Sequence, residues 1–207
     1  MWLEEYLMHP CKKASLPYWK AKSVVVPDGM KIIHDNDFDE TEYRQYIDEP
    51  YFRLSHDLQG LSEPVLPIGY SLRKASLHEF AAHINSCYNG IGITEAELRE
   101  STTRPVYNGT LWLALADDQS GEIVATGIAE LDREIGEGIF EWIQVSKHSR
   151  GRGLGTYIVS SLLWRMKDIA KFATVSGQCH NPTNPEGLYR KCGFTGCDVW
   201  HILRKRV

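Results

Sequence analysis

The sequence lacks any apolar run long enough to cross a bilayer. Its most apolar stretch of consequence, Leu111 to Ala116, falls far short of the ~20 residues a membrane helix needs. It also lacks a basic excess: 23 Lys and Arg stand against 27 Asp and Glu, a formal charge of −4, which argues against nucleic-acid binding through a broad positive surface. The one compact basic run, Arg204-Lys205-Arg206, reads as a solvated strand end. No apolar h-region follows the acidic start Met1-Trp2-Leu3-Glu4-Glu5, so a cytoplasmic protein is expected, with neither membrane nor nucleic acid as partner. Cysteines are few. The five are odd in number and irregular in spacing, which fits reduced thiols rather than a disulfide framework. Cys179, His180, Cys192, Cys197 and His201 cluster in sequence, but they match none of the paired spacings that set zinc ligands on one turn, so no metal is expected. There is no internal repeat and no low-complexity tract.

What is present is an ordinary globular composition, 43% hydrophobic and 24% charged over 207 residues, enough for one domain with an extension. Residues 1–66 hold many prolines and aromatics, strand-like runs at Ser23 to Val26 and Met30 to Ile33, and an acidic stretch with a short helix around Glu40 to Tyr46. They read as an elaboration laid over a core at 67–207.

From Ile68 the pattern alternates. Ser76-Leu77-His78-Glu79 and Thr94-Glu95-Ala96-Glu97 are capping boxes that open two helices. Leu111 to Ala116, Ile123 to Leu131 and Ile139 to Val145 are strands, the first two joined by a hairpin loop at Asp117 to Gly121. A long helix is expected from Gly153 to Ala170, its buried face marked by Leu154, Ile158, Leu162, Met166 and Ile169. A strand at Ala173 to Gly177, a helix at Pro185 to Lys191 and a strand at Val199 to Arg204 close the chain. This order predicts a mixed α/β layer fold with one central, mostly antiparallel sheet flanked by helices.

The most informative residues are Val145 to Thr156, where a strand ends, glycines follow and an amphipathic helix begins. Unpaired N–H groups and a positive dipole at a helix start suit phosphate. Gly151, Gly153 and Gly155 let the main chain approach it, and Arg150 and Arg152 add charged donors. A Rossmann turn would need a third glycine where Thr156 stands, and a Walker loop would need a lysine before Thr156. A glycine-rich turn made for packing is the plain alternative.

Arg150-x-x-Gly153-x-Gly155 resembles the Arg/Gln-x-x-Gly-x-Gly/Ala signature of the GNAT acetyltransferases, which cradles the pyrophosphate of coenzyme A. Downstream, Asn184-Pro185-Glu186-Gly187-Leu188-Tyr189-Arg190-Lys191-Cys192-Gly193-Phe194 resembles the second signature of that superfamily. The resemblance covers about residues 66–207. It implies a GNAT-like acyl-CoA N-acyltransferase fold, acetyl-CoA as cosubstrate, and direct transfer of acetyl to an amine in a ternary complex. It further implies cofactor contacts from Ile143, Gln144 and Val145 on the strand and from Arg150, Gly151, Arg152, Gly153, Leu154, Gly155 and Thr156 on the loop. Tyr189 and one of Asn181 or Asn184 complete the set. Asn184 stands closer to Tyr189 than the commonest family spacing and Asn181 farther, so both remain candidates.

Tyr189 matches the position that protonates the leaving sulfur; a core aromatic is its other reading. Glu141 is the candidate base, since strict alternation places it on one face with Ile143 and Val145. Binding the substrate ammonium, or plain solvation at the sheet surface, is its alternative role. Glu130, Asp132, Glu134 and Glu137 either draw in a cationic amine or form a solvated acidic turn. His148 reads as a loop residue. The aromatic N-terminal residues either cover the sheet, wall the acceptor site or make a homodimer contact, and the acceptor region is expected around Tyr88 to Pro105. A catalytically silent acyl-CoA sensor or scaffold is the rival reading.

Overall fold

The computed structural model describes residues 2–13, 16–88, 90 and 92–206. Its elements in chain order are α1 (Trp2–Met8), α2 (Tyr18–Ser23), β1 (Met30–His34), α3 (Glu40–Tyr43), β2 (Tyr46–His56), β3 (Tyr70–Arg73), α4 (Leu77–Cys87) and α5 (Glu95–Ser101). There follow β4 (Trp112–Asp117), β5 (Ile123–Asp132), β6 (Glu137–Val145), α6 (Leu154–Met166), β7 (Phe172–Gln178), α7 (Pro185–Lys191) and β8 (Thr195–Lys205). The fold is mixed α/β, with strands flanked by helices. The chain divides into two units, Asp57–Ala173 and the paired segments Met1–His56 and Thr174–Val207.

In Asp57–Ala173, β3, β4, β5 and β6 form an antiparallel run in the order β6-β5-β4-β3. The hairpin between β4 and β5 closes as its sequence demands. Asp117 Oδ1 accepts from the Gln119 and Ser120 N–H groups, and Gly121 takes a left-handed φ of 72°. Both capping boxes form, Ser76 with Glu79 and Thr94 with Glu97. The Ser76 amide and the Arg73 guanidinium on Glu79 hold its carboxyl down at about 2. Phe80, Ala81, Ile84, Leu98, Ala114 and Ile128 make a core between α4, α5 and one sheet face.

Helix α6 covers the opposite face, because neighbouring residues on a strand point opposite ways. Its approach is set by glycines: a Cβ on Gly127 would stand 2.4 Å from Ile158 Cγ2, and one on Gly138 2.4 Å from Met166 Sδ. Leu154, Ile158, Leu162 and Met166 are buried as the periodicity predicts. Ile169 is not. The helix stops at Met166, whose carbonyl accepts from the Ile169 and Ala170 N–H groups, and Lys171 N–H then bonds to Gly136 O. The helix thus ends about a turn earlier than expected, leaving Ile169 exposed.

In the other unit the strand order is β1-β8-β2-β7. β8 pairs antiparallel with β1 (Met30↔Arg204) and with β2 (Tyr46↔Lys205). β2 therefore has a neighbour on each side. A register shift at Arg53–Ser55 marks a bulge in it. Arg53 is almost fully buried and donates to Pro10 O, Ser176 Oγ and Tyr6 Oη, which ties the segment after α1 to the sheet. Val24 to Val26, a strand by composition, forms no strand and is exposed; Val24 instead closes α2, its N–H bonding to Lys20 O.

Candidate functional site

The end of β6 shows which backbone groups face where. Ser146 N–H bonds to Val124 O at 2.8 Å, and the register runs Ala125↔Val145, Thr126↔Gln144, Gly127↔Ile143. In an antiparallel pair, residues alternate between bonding across and facing away. Trp142, Gln144 and Ser146 thus bond toward β5, while the peptide groups of Ile143 and Val145 face away from it. Two side chains meet their carbonyls: Arg150 Nε donates to Val145 O at 3.1 Å, and Tyr88 Oη donates to Ile143 O at 3.4 Å.

Glu141 stands at a bulge. Trp142 pairs with Ile128 and Phe140 with Ala129, so the register shifts at Glu141 and two residues of β6 are spanned by one step of β5. The extra residue breaks the strict alternation assumed for this strand. Ile139, opposite Glu130, now lies on the face opposite to Ile143, which pairs with Gly127. Alternation therefore does not assign Glu141 a face, and the carboxylate is half-buried.

The loop after β6 is shaped by two left-handed glycines, Gly151 at φ 77° and Gly153 at φ 81°. An L side chain is strained at such angles. A Cβ at Gly151 would meet no described atom within 4 Å, and one at Gly153 only Pro67 Cγ at 3.9 Å, so the space before both is open. Gly153 is the N-cap of α6 and offers no side-chain cap, and the first helical bond runs from Tyr157 N–H to Gly153 O. The amides of Leu154, Gly155 and Thr156 precede that bond at the helix's positive end. Arg150 and Arg152 are exposed beside them, with Arg152 donating to Tyr70 Oη, while Leu154 is buried and Thr156 exposed. Open space, unshared amides and two guanidiniums make an anion cradle.

Behind the loop lies a polar cluster that the sequence reading passed over. His83 of α4 is 5% exposed; its Nδ1 lies 2.9 Å from Thr126 Oγ1 and its Nε2 3.0 Å from Ser146 Oγ. Gln144 Nε2 donates to Thr126 Oγ1, and Cys87 Sγ is 3.7 Å from His83 Nε2. Burial pushes the imidazole down to about 4, with the charge of His148 adding to the shift and a Val124 backbone bond opposing it. Burial likewise raises the Cys87 thiol and the Tyr88 phenol, which keeps both protonated near neutral pH. The one available signal was spacing, since His83 lies on the apolar stripe between Phe80 and Cys87.

The remaining candidates belong to the unit of Met1–His56 and Thr174–Val207. Asn184, at φ 49°, caps α7 by accepting from Gly187 N–H; Asn181 Oδ1 accepts from Thr183 N–H and Oγ1. Both carboxamide oxygens are engaged locally, which leaves their Nδ2 groups as donors. Tyr189 is buried, edge-on to Phe194 at 5.6 Å and tilted on Phe52 at 6.2 Å. Glu141, the strand and the loop lie together in Asp57–Ala173.

The hairpin acids differ from a solvated turn. Glu130, Asp132 and Glu137 are 4%, 4% and 0% exposed, and only Glu134 faces solvent. Arg104 meets Glu130 at 3.4 Å, and Asp132 accepts from Glu134 N–H. Of the expected acceptor region, Asn89 and Ile91 lie outside the described residues. Among the described residues no group of three or more His, Cys, Asp or Glu could hold a metal, and no helix is long and apolar enough to cross a membrane.

Residues 107–196 match the family described as an acetyltransferase (GNAT) domain. The structure is similar to that of a GCN5-related N-acetyltransferase from Sphaerobacter thermophilus, with TM-score 0.69 and 20% identity over 85% of this chain and 58% of that one. It is also similar to a GNAT-family acetyltransferase from Colwellia psychrerythraea, with TM-score 0.58 and 14% identity over 90% and 69%. A tandem GNAT protein from the clavulanic acid biosynthesis pathway gives 0.54 and 16% over 75% and 52%. The chain thus spans between about half and two-thirds of these proteins' lengths, and at such identities the likeness is one of fold. No curated protein matches the chain.

Proposed function

We propose that the chain, whose residues 107–196 match the GNAT acetyltransferase domain family, transfers acetyl from acetyl-CoA to an amine. The observation that carries the proposal is the cradle at Arg150 to Thr156, with its left-handed glycines, open approach and uncapped helix amides. It suits the pyrophosphate of coenzyme A. The peptide groups of Ile143 and Val145, turned away from β5, suit the pantetheine arm, with an N–H toward the thioester oxygen. Gln144 supports that strand end from its other side. The Nδ2 group of Asn181 or Asn184 would add a donor to the cofactor.

In this reading the neutral amine attacks the thioester carbonyl carbon, the carbon–sulfur bond breaks, and coenzyme A leaves as a thiol. Glu141 takes the amine proton, directly or through water, and Tyr189 returns a proton to the sulfur. The bulge at Glu141 supports its role, because bulges re-aim side chains at functional positions.

The test is the melting temperature with and without acetyl-CoA, in the native protein and in Thr156→Glu. Thr156 is the third residue of α6, where a glutamate favours the helix while setting negative charge at the cradle. Ligand at a hundredfold excess over Kd stabilises by about 2.7 kcal/mol, a shift of roughly 5–10 °C for a chain of this size. The shift should vanish in the variant. No shift in the native protein at saturating acetyl-CoA refutes the proposal. A shift without thiol release on any of a panel of amines would leave the acyl-CoA sensor as the better reading.

A further inference from the structure

Resting on that reading, we propose that His83 is a positioning residue for acetyl-CoA: from helix α4 it fixes the strand end and loop that receive the cofactor. Both ring nitrogens are engaged, Nδ1 with Thr126 Oγ1 of β5 at 2.9 Å and Nε2 with Ser146 Oγ at 3.0 Å. Ser146 is the hinge of the site. It follows Val145 directly, caps the 3-10 turn Lys147–Ser149, and its N–H makes the bond to Val124 O that sets which β6 peptides face outward. Ser149 N–H closes that turn on Ser146 O at 2.8 Å, and Arg150 follows at once. A shift of Ser146 would therefore move the Val145 peptide and the Arg150 side chain together.

The chemistry suits an imidazole. A neutral ring has one donor and one acceptor, on opposite edges of a rigid plane, and can bind two hydroxyls at once. No charge is created beside Lys147 and Arg150, whose positive field is thus left to an incoming phosphate. Gln144 adds to the assembly through Thr126, and Tyr88, one turn beyond His83, meets the carbonyl of Ile143. The last turn of α4 thereby reaches Ile143, Gln144 and Ser146, either directly or through Thr126. In a rigid buried cluster such bonds are worth most when every member is present.

The test is acetyl-CoA affinity by titration calorimetry at pH 7.5 for the native protein, His83→Phe, His83→Gln, Ser146→Ala and the double variant His83→Phe/Ser146→Ala. Phenylalanine keeps the ring volume and removes both bonds, and should raise Kd about tenfold. Glutamine keeps a donor toward Ser146 and should restore Kd to within about threefold. Ser146→Ala should weaken binding like His83→Phe, and the double variant should be no worse than the weaker single one, because the His83–Ser146 bond is already lost in each. A merely structural histidine would lower the melting temperature in His83→Phe and leave the Kd of the folded fraction unchanged; that result overturns the inference. If His83→Phe fails to fold, an unchanged Kd in Ser146→Ala overturns it equally. A native protein that binds no acetyl-CoA refutes the proposed function itself, and the inference with it; native binding with unaltered variants refutes the inference alone.

Discussion

Acidification should destabilise this protein in a way that can be assigned to a single buried ring. His83 is 5% exposed, and its folded-state value sits at about 4 against an ordinary 6.5. The folded protein resists the proton that the unfolded chain accepts. The stability this contributes is present in full above pH 6.5 and is lost as pH falls toward 4. Integrated between those two values, the loss attributable to His83 is about 1.4 kcal/mol at pH 5.5 and about 2.5 kcal/mol at pH 4.5. Carboxylates titrate over the same range, so the comparison has to be with a variant lacking the imidazole. Urea unfolding of the native protein and of His83→Gln at pH 7.5, 5.5 and 4.5 provides it. Glu79, held at about 2, contributes alike to both and cancels. Whatever the variant costs at pH 7.5, the gap between the two proteins should close by about 2.5 kcal/mol at pH 4.5. Equal losses in the two proteins would refute the reasoning, and would mean that the hydroxyl cluster tolerates an imidazolium.

Glu141→Gln should lower kcat by about a hundredfold or more with little change in melting temperature, as expected for loss of a general base; steady-state thiol release checks it, and an unaltered kcat removes the residue from the mechanism. Tyr189→Phe keeps the packing against Phe52 and Phe194 and should also depress kcat while leaving the acetyl-CoA Kd within about twofold. Gly127→Val forces side-chain atoms into Ile158 and Leu162 of α6, whose positions are fixed by the core; chemical denaturation should show a loss of roughly 1–3 kcal/mol. A 57–207 fragment should show no cooperative melt, because β2 stands between β8 and β7 and carries the buried Phe52 and Leu54; a native-like transition would mean that the sheet tolerates its absence.

Much of the fold was legible where local chemistry and pattern agreed. The capping boxes at Ser76 and Thr94 form as their residues require, and α7 begins and ends where Pro185 and Lys191 place it. Strands β4, β5 and β6 follow from apolar runs broken by Asp117 to Gly121 and by Gly136. β2 was not legible. Asp48, Glu49 and Pro50 within it argue against an interior strand, since proline donates no ladder bond. Tertiary pairing with β8 overrides that local signal, and Pro50 still accepts from Cys179 N–H through its carbonyl. Helices α1 and α2 were hidden for a related reason: they are short, so packing around Tyr6 and Tyr18 rather than propensity holds them.

The sequence by itself determined the loop. Glycines at 151 and 153 admit left-handed angles that other residues resist, and a helix pattern that begins without a capping side chain leaves amides for an anion. Those are properties of neighbours in the chain. Only the tertiary structure decided which peptides of β6 turn outward, that Glu141 falls at a bulge, and that His83 holds Ser146 across a gap of 63 residues. Each of these depends on register between segments far apart in the chain. A one-residue slip in pairing reverses every face, and no local preference in this sequence fixes it.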